Sequence, residues 1–174
     1  MSATPIPRTL ALTMYGEMAI SYIEEMPSGR KPVKTLVYRQ SDANERSRAY
    51  DKLVSEVRSG NKGFVVFPLI EESESDDFQS VKAAEASFDG LSRNELRGVS
   101  CGLLHGRLQS QEKLEAQSDF ISGRTQVLVA TAVIEVGVDI PEATVIIIEN
   151  AERFGLAQLH QLRGRVGRSN RGEI

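Results

Sequence analysis

The sequence predicts an α/β domain built on a mostly parallel sheet with helices on both faces. After Pro32, short runs of β-branched residues alternate with amphipathic segments, a pattern typical of βαβ units. Two of these runs, 65–67 and 145–148, are continuously apolar, as expected of strands that are covered on both sides. The chain has 174 residues, 40% of them hydrophobic, which is enough to bury one core.

Five strands are predicted from the runs of β-branched and apolar residues. They cover residues 35–38, 63–68, 99–104, 126–130 and 144–149. The sheet is predicted to be mostly parallel, and in open α/β sheets ligands bind at polar loops that follow the carboxyl ends of strands.

Three amphipathic helices are predicted between the strands. The apolar stripe of the first consists of Tyr50, Leu53, Val54 and Val57, and that of the second of Val81, Ala84, Phe88 and Leu91. The third helix is predicted from Ser110, as its N-cap, to about Ser122, and Gly123 is placed to end it.

Residues 1–32 differ from the rest of the chain. Prolines at positions 5, 7, 27 and 32 and the turn signal at 28–29 interrupt any long helix or strand. We therefore expect residues 1–32 to form an interdomain connection and residues 33–174 to form the α/β domain. A further strand is expected after Ile174, so the domain is predicted to be truncated there.

Composition excludes several classes of protein. Lys and Arg total 21 against 24 acidic residues, a net charge of −3, so any nucleic-acid contact must come from local sites. The single Cys101 excludes a disulfide framework and is predicted to be a core residue. No apolar run approaches the ~20 residues of a membrane span. Neither His105 nor His160 has partners at zinc-ligand spacing, so no metal site is predicted.

The segment 158–168 carries the strongest functional pattern. On a helix, Gln161, Arg165 and Arg168 would share one face with Gln158, while the opposite face would be apolar. The guanidinium fork matches phosphate oxygens and stays charged at any working pH. Gly164 and Gly167 would each cost ~1 kcal/mol inside a helix, which indicates close approach of a ligand or another backbone. A solvated basic face is the alternative interpretation.

Two further polar segments follow predicted strands. Gly137 and Asp139 lie in the loop after 126–130, where open α/β sheets bind ligands and where a carboxylate can accept hydrogen bonds from sugar hydroxyls. An Asx-turn is an equally weighted alternative for Asp139. His105 and Arg107 follow the strand 99–104, and Arg107 is a candidate for contact with a phosphate backbone.

The sequence contains no G-x-x-x-x-G-K-[ST] loop to bind phosphates and no pair of acids after a strand to hold Mg²⁺. Arginines without a phosphate-binding loop suggest a partner domain that binds the nucleotide and receives these arginines across a cleft.

Together these segments resemble the superfamily 2 helicases, in which two RecA-like lobes bind ATP between them and nucleic acid across their tops. Residues 2–9 resemble motif III, 63–73 motif IV, 103–107 motif IVa, 129–141 motif V and 161–168 motif VI. Within that superfamily, segments 27–30, 67–73 and 151–158 resemble the RecG-type DNA helicases, which remodel stalled replication forks. The resemblance spans nearly the whole chain.

The resemblance implies roles for individual residues. Arg168 would be the arginine finger on the γ-phosphate, Arg165 its companion, and Gln161 a link between the ATP cleft and the DNA track. Asp139 would contact the ribose from a loop shaped by Gly137. The residues near the DNA backbone would be His105, Arg107, Thr131 and Pro68, and those of the coupling motif would be Thr4 and Arg8.

The resemblance also implies cofactors and partners. The cofactors would be ATP and Mg²⁺, with the Mg²⁺ ligands in a first lobe that this chain lacks. The partners would be DNA forks and branched duplexes, together with the first lobe and the wedge domain of the same protein. A monomer without membrane contact is expected, in the bacterial cytoplasm or, alternatively, in a chloroplast or mitochondrion. The isolated lobe is expected to be inactive as an ATPase.

Three alternatives remain open. A transcription-repair coupling translocase shares the Phe154–Leu159 stretch and motif VI. A self-contained nucleotide-binding enzyme of Rossmann type would need a glycine-rich strand-to-helix loop, which the sequence lacks. A non-catalytic interaction module would tolerate the loss of Arg165 and Arg168.

Overall fold

The computed structural model describes residues 33–39, 41–68, 85–131, 140 and 142–167. Within these residues the fold is built on four parallel strands. They are β1 (Lys62–Phe67), β2 (Cys101–Leu104), β3 (Val127–Thr131) and β4 (Ala143–Ile148), in the order β2-β3-β1-β4. Four of the five predicted strands and the parallel sheet are thereby confirmed.

The two central strands place alternate side chains in two separate cores. In β1, Phe64 and Val66 lie in one core and Val65 lies in the other. β3 repeats the alternation, with Leu128 in the first core and Val127 in the second. Because successive side chains of a strand point to opposite faces, a strand that is apolar throughout must be covered on both sides.

Helices cover both faces of the sheet. On one face, α1 (Ala43–Arg58) buries Tyr50, Leu53 and Val57, and the helical residues 85–93, here α2, bury Leu91. On the other face, α3 (Ser110–Ser122) buries Phe120 and α4 (Leu156–Arg163) buries Leu162. The first two predicted stripes are therefore confirmed where they are described, while Val81 and Ala84 lie outside the described residues.

The start of α3 differs by one residue from its prediction. Gln109, not Ser110, is the N-cap, and Ser110 is the first helical residue. The backbone N–H of Gln109 donates to Glu112 Oε2 at 2.7 Å, so a carboxylate closes the first turn where a serine hydroxyl was expected. Gly123 ends the helix as predicted, with a left-handed φ of 82°.

The predicted strand at 35–38 is wrong. Residues 33–39 are not assigned to a strand, and Val37 is 91% exposed. β4 is an outer strand of the described sheet. β4 and residues 33–39 both line a cavity of about 630 Å³. The β-branched composition of this segment favours an extended chain, but a strand also needs a neighbour to complete its hydrogen bonds.

Candidate functional site

The carboxyl edge of the sheet brings several of the predicted site residues together. Phe67 is paired with Thr131, so Pro68 follows directly beside the end of β3. Leu104 is paired with Ala130, which places His105 one position beyond, next to Thr131. The parallel register therefore brings these segments to the same end of the sheet.

The three edge residues differ in exposure. Thr131 and His105 are buried, at 6% and 7% exposed, whereas Pro68 is half-buried. Arg107, which lies two residues after His105 in the turn before α3, is exposed. Of these candidates, Arg107 therefore presents the most accessible charge to a bound polyanion.

His105 is held by its surroundings. Its Nε2 lies 3.9 Å from Glu85 Oε1, and its Nδ1 has no hydrogen-bond partner among the described residues. Its carbonyl accepts the N–H of Leu108 at 3.3 Å, and the neighbouring Gly106 carbonyl accepts Lys113 Nζ at 2.5 Å. These bonds fix the turn that carries Arg107 between β2 and α3.

The chain reaches α4 through a short connection from β4. Asn150 has a left-handed backbone with φ 50°, a 3₁₀ turn spans Ala151–Arg153, and Phe154 is buried. The N–H of Gly155 then donates to Gln158 Oε1 at 3.0 Å, which satisfies a free donor at the start of the helix.

The predicted helix through residue 168 is wrong beyond Arg163. α4 ends there, and the N–H groups of Arg165 and Val166 donate to the carbonyls three residues earlier, at 3.0 and 3.4 Å. Gly167 has a left-handed φ of 73°, which a helix cannot contain. Gly167 thus allows the chain to turn, whereas Gly164 has a φ of −66° that any residue can adopt.

Arg165 nevertheless sits on an anchored turn. Leu162 and Val166, at 7% and 1% exposed, are buried in the core shared with β1 and β3, and Arg165 between them is half-buried. Gln161 is exposed on α4. The predicted division into apolar anchors and polar groups therefore survives, although the backbone carrying it is a helix followed by a turn.

The remaining predicted site residues lie outside the described residues. These are Thr4, Arg8, Gly137, Asp139 and Arg168. Ala130, the residue before Thr131, and Ile140 both belong to the core that also contains Leu162 and Val166.

One polar cluster was missed by the sequence analysis. Glu149 follows β4, is 7% exposed, and accepts a hydrogen bond from the Tyr50 hydroxyl at 2.6 Å and one from Arg46 Nη2 at 3.2 Å. Arg46 also pairs with Glu95. The sequence signal was a carboxylate directly after an apolar strand, but the strand pattern does not show which helix it meets.

Cys101 shows no sign of a reactive thiol. Burial raises its pKa to about 11, so it stays protonated near neutral pH. Its Sγ donates to the Val99 carbonyl at 3.4 Å, in keeping with the structural role that was predicted. Among the described residues, no three His, Cys, Asp or Glu side chains are grouped closely enough to hold a metal ion.

Residues 45–170 match the model of the helicase conserved C-terminal domain, which is more than two thirds of the chain. The chain belongs to this helicase family. It is 51% identical over 170 residues to the ATP-dependent DNA helicase RecG of Synechocystis. It is also 46% identical over 171 residues to the chloroplastic/mitochondrial helicase homologue RECG1 of Arabidopsis thaliana. These matches cover 98% of this chain and 20% and 17% of the relatives, so the chain spans about a fifth of their length.

The helicase C-terminal fold is also seen in solved structures. Saccharomyces cerevisiae Dbp5 bound to RNA and ADP BeF3 superposes with a TM-score of 0.58 at 21% identity, covering 98% of this chain and 41% of Dbp5. The likeness confirms the predicted RecA-like α/β lobe. None of the helices among the described residues is long and apolar enough to cross a membrane.

Proposed function

We propose that this chain is the second motor lobe of a RecG-type ATP-dependent DNA helicase. One observation carries the proposal. In a helicase C-terminal domain that has no phosphate-binding loop in its sequence, Leu162 and Val166 anchor a turn that holds Arg165 at the surface of the sheet core. Arginine fingers act in this way on a nucleotide that another lobe or protein binds.

The proposed work of the arginines is electrostatic. Arg168 is the finger on the γ-phosphate and Arg165 its companion, and both neutralise charge that develops as the phosphate is transferred. Gln161 connects the ATP cleft between the two lobes to the DNA track. Asp139 accepts hydrogen bonds from the ribose hydroxyls, in the loop shaped by Gly137. Mg²⁺ is held by the first lobe.

The proposed DNA track is the carboxyl edge of the sheet. Pro68, His105 and Thr131 lie side by side there, and the exposed Arg107 follows two residues after His105. Contacts from these residues to the phosphate backbone of DNA would position the protein on a duplex without selecting a base sequence, as a translocating motor requires. Thr4 and Arg8 couple ATP hydrolysis to movement along this track.

The proposal extends to the whole protein. The whole protein acts as a monomer on replication forks and recombination intermediates during DNA repair, and a wedge domain outside this chain splits the fork. Residues 1–32 connect the first lobe to the domain formed by residues 33–174. The relatives include a bacterial protein and a plant organellar one, so the bacterial cytoplasm and a plant organelle are both proposed settings.

Loss of the Arg107 guanidinium tests the DNA track. Arg107→Ala in the full-length protein is expected to weaken forked-DNA binding about tenfold, because a charged hydrogen bond contributes ~1.5 kcal/mol or more. The slope of the logarithm of the binding constant against the logarithm of salt concentration should also decrease in magnitude by about one. Fluorescence anisotropy at several salt concentrations measures both quantities.

Arg97→Ala is the matched control. Arg97 is also an exposed arginine flanking β2, but it lies at the amino end of that strand, on the opposite edge of the sheet. Its loss should change affinity less than about twofold, since long-range attraction is largely screened at 0.15 M salt. Equal losses for both variants would place the DNA elsewhere.

A further inference from the structure

The cluster of Arg46, Tyr50, Glu95 and Glu149 joins three parts of the fold. Glu149 stands at the carboxyl end of β4, Arg46 and Tyr50 belong to α1, and Glu95 lies in the turn that follows α2. The Glu149 carboxylate receives both the Tyr50 hydroxyl and the Arg46 guanidinium. Arg46 also lies 4.8 Å from the centre of the Tyr50 ring.

Tyr50 keeps its proton in this cluster. Burial, followed by the hydrogen bond to Glu149, raises the pKa of Tyr50 well above its ordinary value, so its hydroxyl remains a donor. A carboxylate that is 7% exposed loses hydration, and only well-placed donors offset that cost. Apolar side chains of similar volume often stabilise a fold as well as a buried ion pair does, or better. Stability alone therefore does not explain this cluster.

Glu149 stands where the chain leaves the sheet. Its N–H donates to the Val66 carbonyl at 2.9 Å. The next residue, Asn150, is the one described non-glycine residue with a positive φ. The connection into α4 therefore begins at a residue whose N–H is bonded to β1 and whose carboxylate is bonded to α1.

We propose that Glu149 is a positioning residue for ATP hydrolysis. Clamped by Arg46 and Tyr50, it orients the connection from β4 into α4, and through α4 it places Arg165 and the following Arg168 at the nucleotide. This inference rests on the proposed function. Glu149 touches neither ATP nor DNA, and acts only through the arginines.

The test measures kcat and KM for DNA-stimulated ATP hydrolysis by the full-length protein. Glu149→Ala is expected to lower kcat by about tenfold to hundredfold, because small displacements of a catalytic group have effects of that size. The KM for ATP should change less than about threefold, since an arginine finger acts mainly in the transition state. Tyr50→Phe, which removes one of the two donors, should lower kcat by a smaller factor.

Val57→Ala controls for general destabilisation. Val57 is buried on the same helix as Arg46 and Tyr50 but lies about two helical turns beyond Tyr50. It should lower the melting temperature while leaving kcat within about twofold. If Val57→Ala lowers kcat as much as Glu149→Ala at an equal loss of stability, the positioning role is overturned.

A double-variant comparison shows whether Glu149 acts through the arginine. In an Arg168→Ala background, Glu149→Ala should lower kcat by a much smaller factor than in the wild type, because only Arg165 is left for it to position. Full additivity of the two effects would overturn the proposal. If Arg168→Ala alone leaves kcat unchanged, the proposed function fails; if only Glu149→Ala leaves kcat unchanged, the positioning proposal fails and the proposed function stands.

Discussion

Replacing Arg168 with alanine in the full-length protein is expected to lower DNA-stimulated ATP turnover by about 10³-fold or more. Under the proposed function, this guanidinium neutralises charge that develops on the transferring phosphoryl group. Arg168→Lys should recover only part of the loss, because an ammonium keeps the charge but not the planar fork. Steady-state turnover at saturating ATP and DNA measures the effect.

Arg163→Ala is the control for this comparison. Arg163 is an exposed arginine at the end of α4, five positions before Arg168, and its Nη2 lies 3.0 Å from His160 Nδ1. Its removal should change turnover less than about threefold. A full-length Arg168→Ala protein that kept wild-type turnover would favour the non-catalytic interaction module.

The second large effect concerns the core beneath the site. Phe120→Ala is expected to reduce the free energy of unfolding by ~3–5 kcal/mol. Phe120 is fully buried on α3, and its ring centre lies 5.0 Å from that of Phe64 in β1. Truncation removes the aromatic contact and leaves a cavity between the helix and the sheet. Urea unfolding of this chain, followed by circular dichroism, measures the change.

Ile121→Ala provides a control at the adjacent position. Ile121 is also an apolar residue of α3, but it is 50% exposed, so its truncation should cost less than about 1 kcal/mol. Similar losses at 120 and 121 would mean that α3 does not pack on the sheet through Phe120.

Most of the fold could be predicted because hydrophobic periodicity reflects burial directly. The stripe through Tyr50, Leu53 and Val57 corresponds to the buried face of α1, and the apolar run of β1 corresponds to a strand at the centre of the sheet. The segment 35–38 could not be judged in the same way. Its composition favours an extended chain, but strand formation depends on a neighbouring strand, which local sequence does not show.

The site was predicted in part for a similar reason. Parallel strands end at one edge, so the proximity of Pro68, His105 and Thr131 followed from their positions after strands. The length of α4 was overestimated because the apolar spacing continues to Val166 after the helix has ended at Arg163. Glu149 was missed because its contact with Tyr50 joins residues 99 positions apart.

The most direct test of the half-site proposal is DNA-stimulated ATPase activity of this chain alone and after addition of the separately prepared first lobe. The expected result is no turnover by the chain alone, turnover on mixing, and loss of that turnover when the added chain carries Arg168→Ala. Turnover by the chain alone would contradict the proposal, because it would require a complete nucleotide site within these 174 residues.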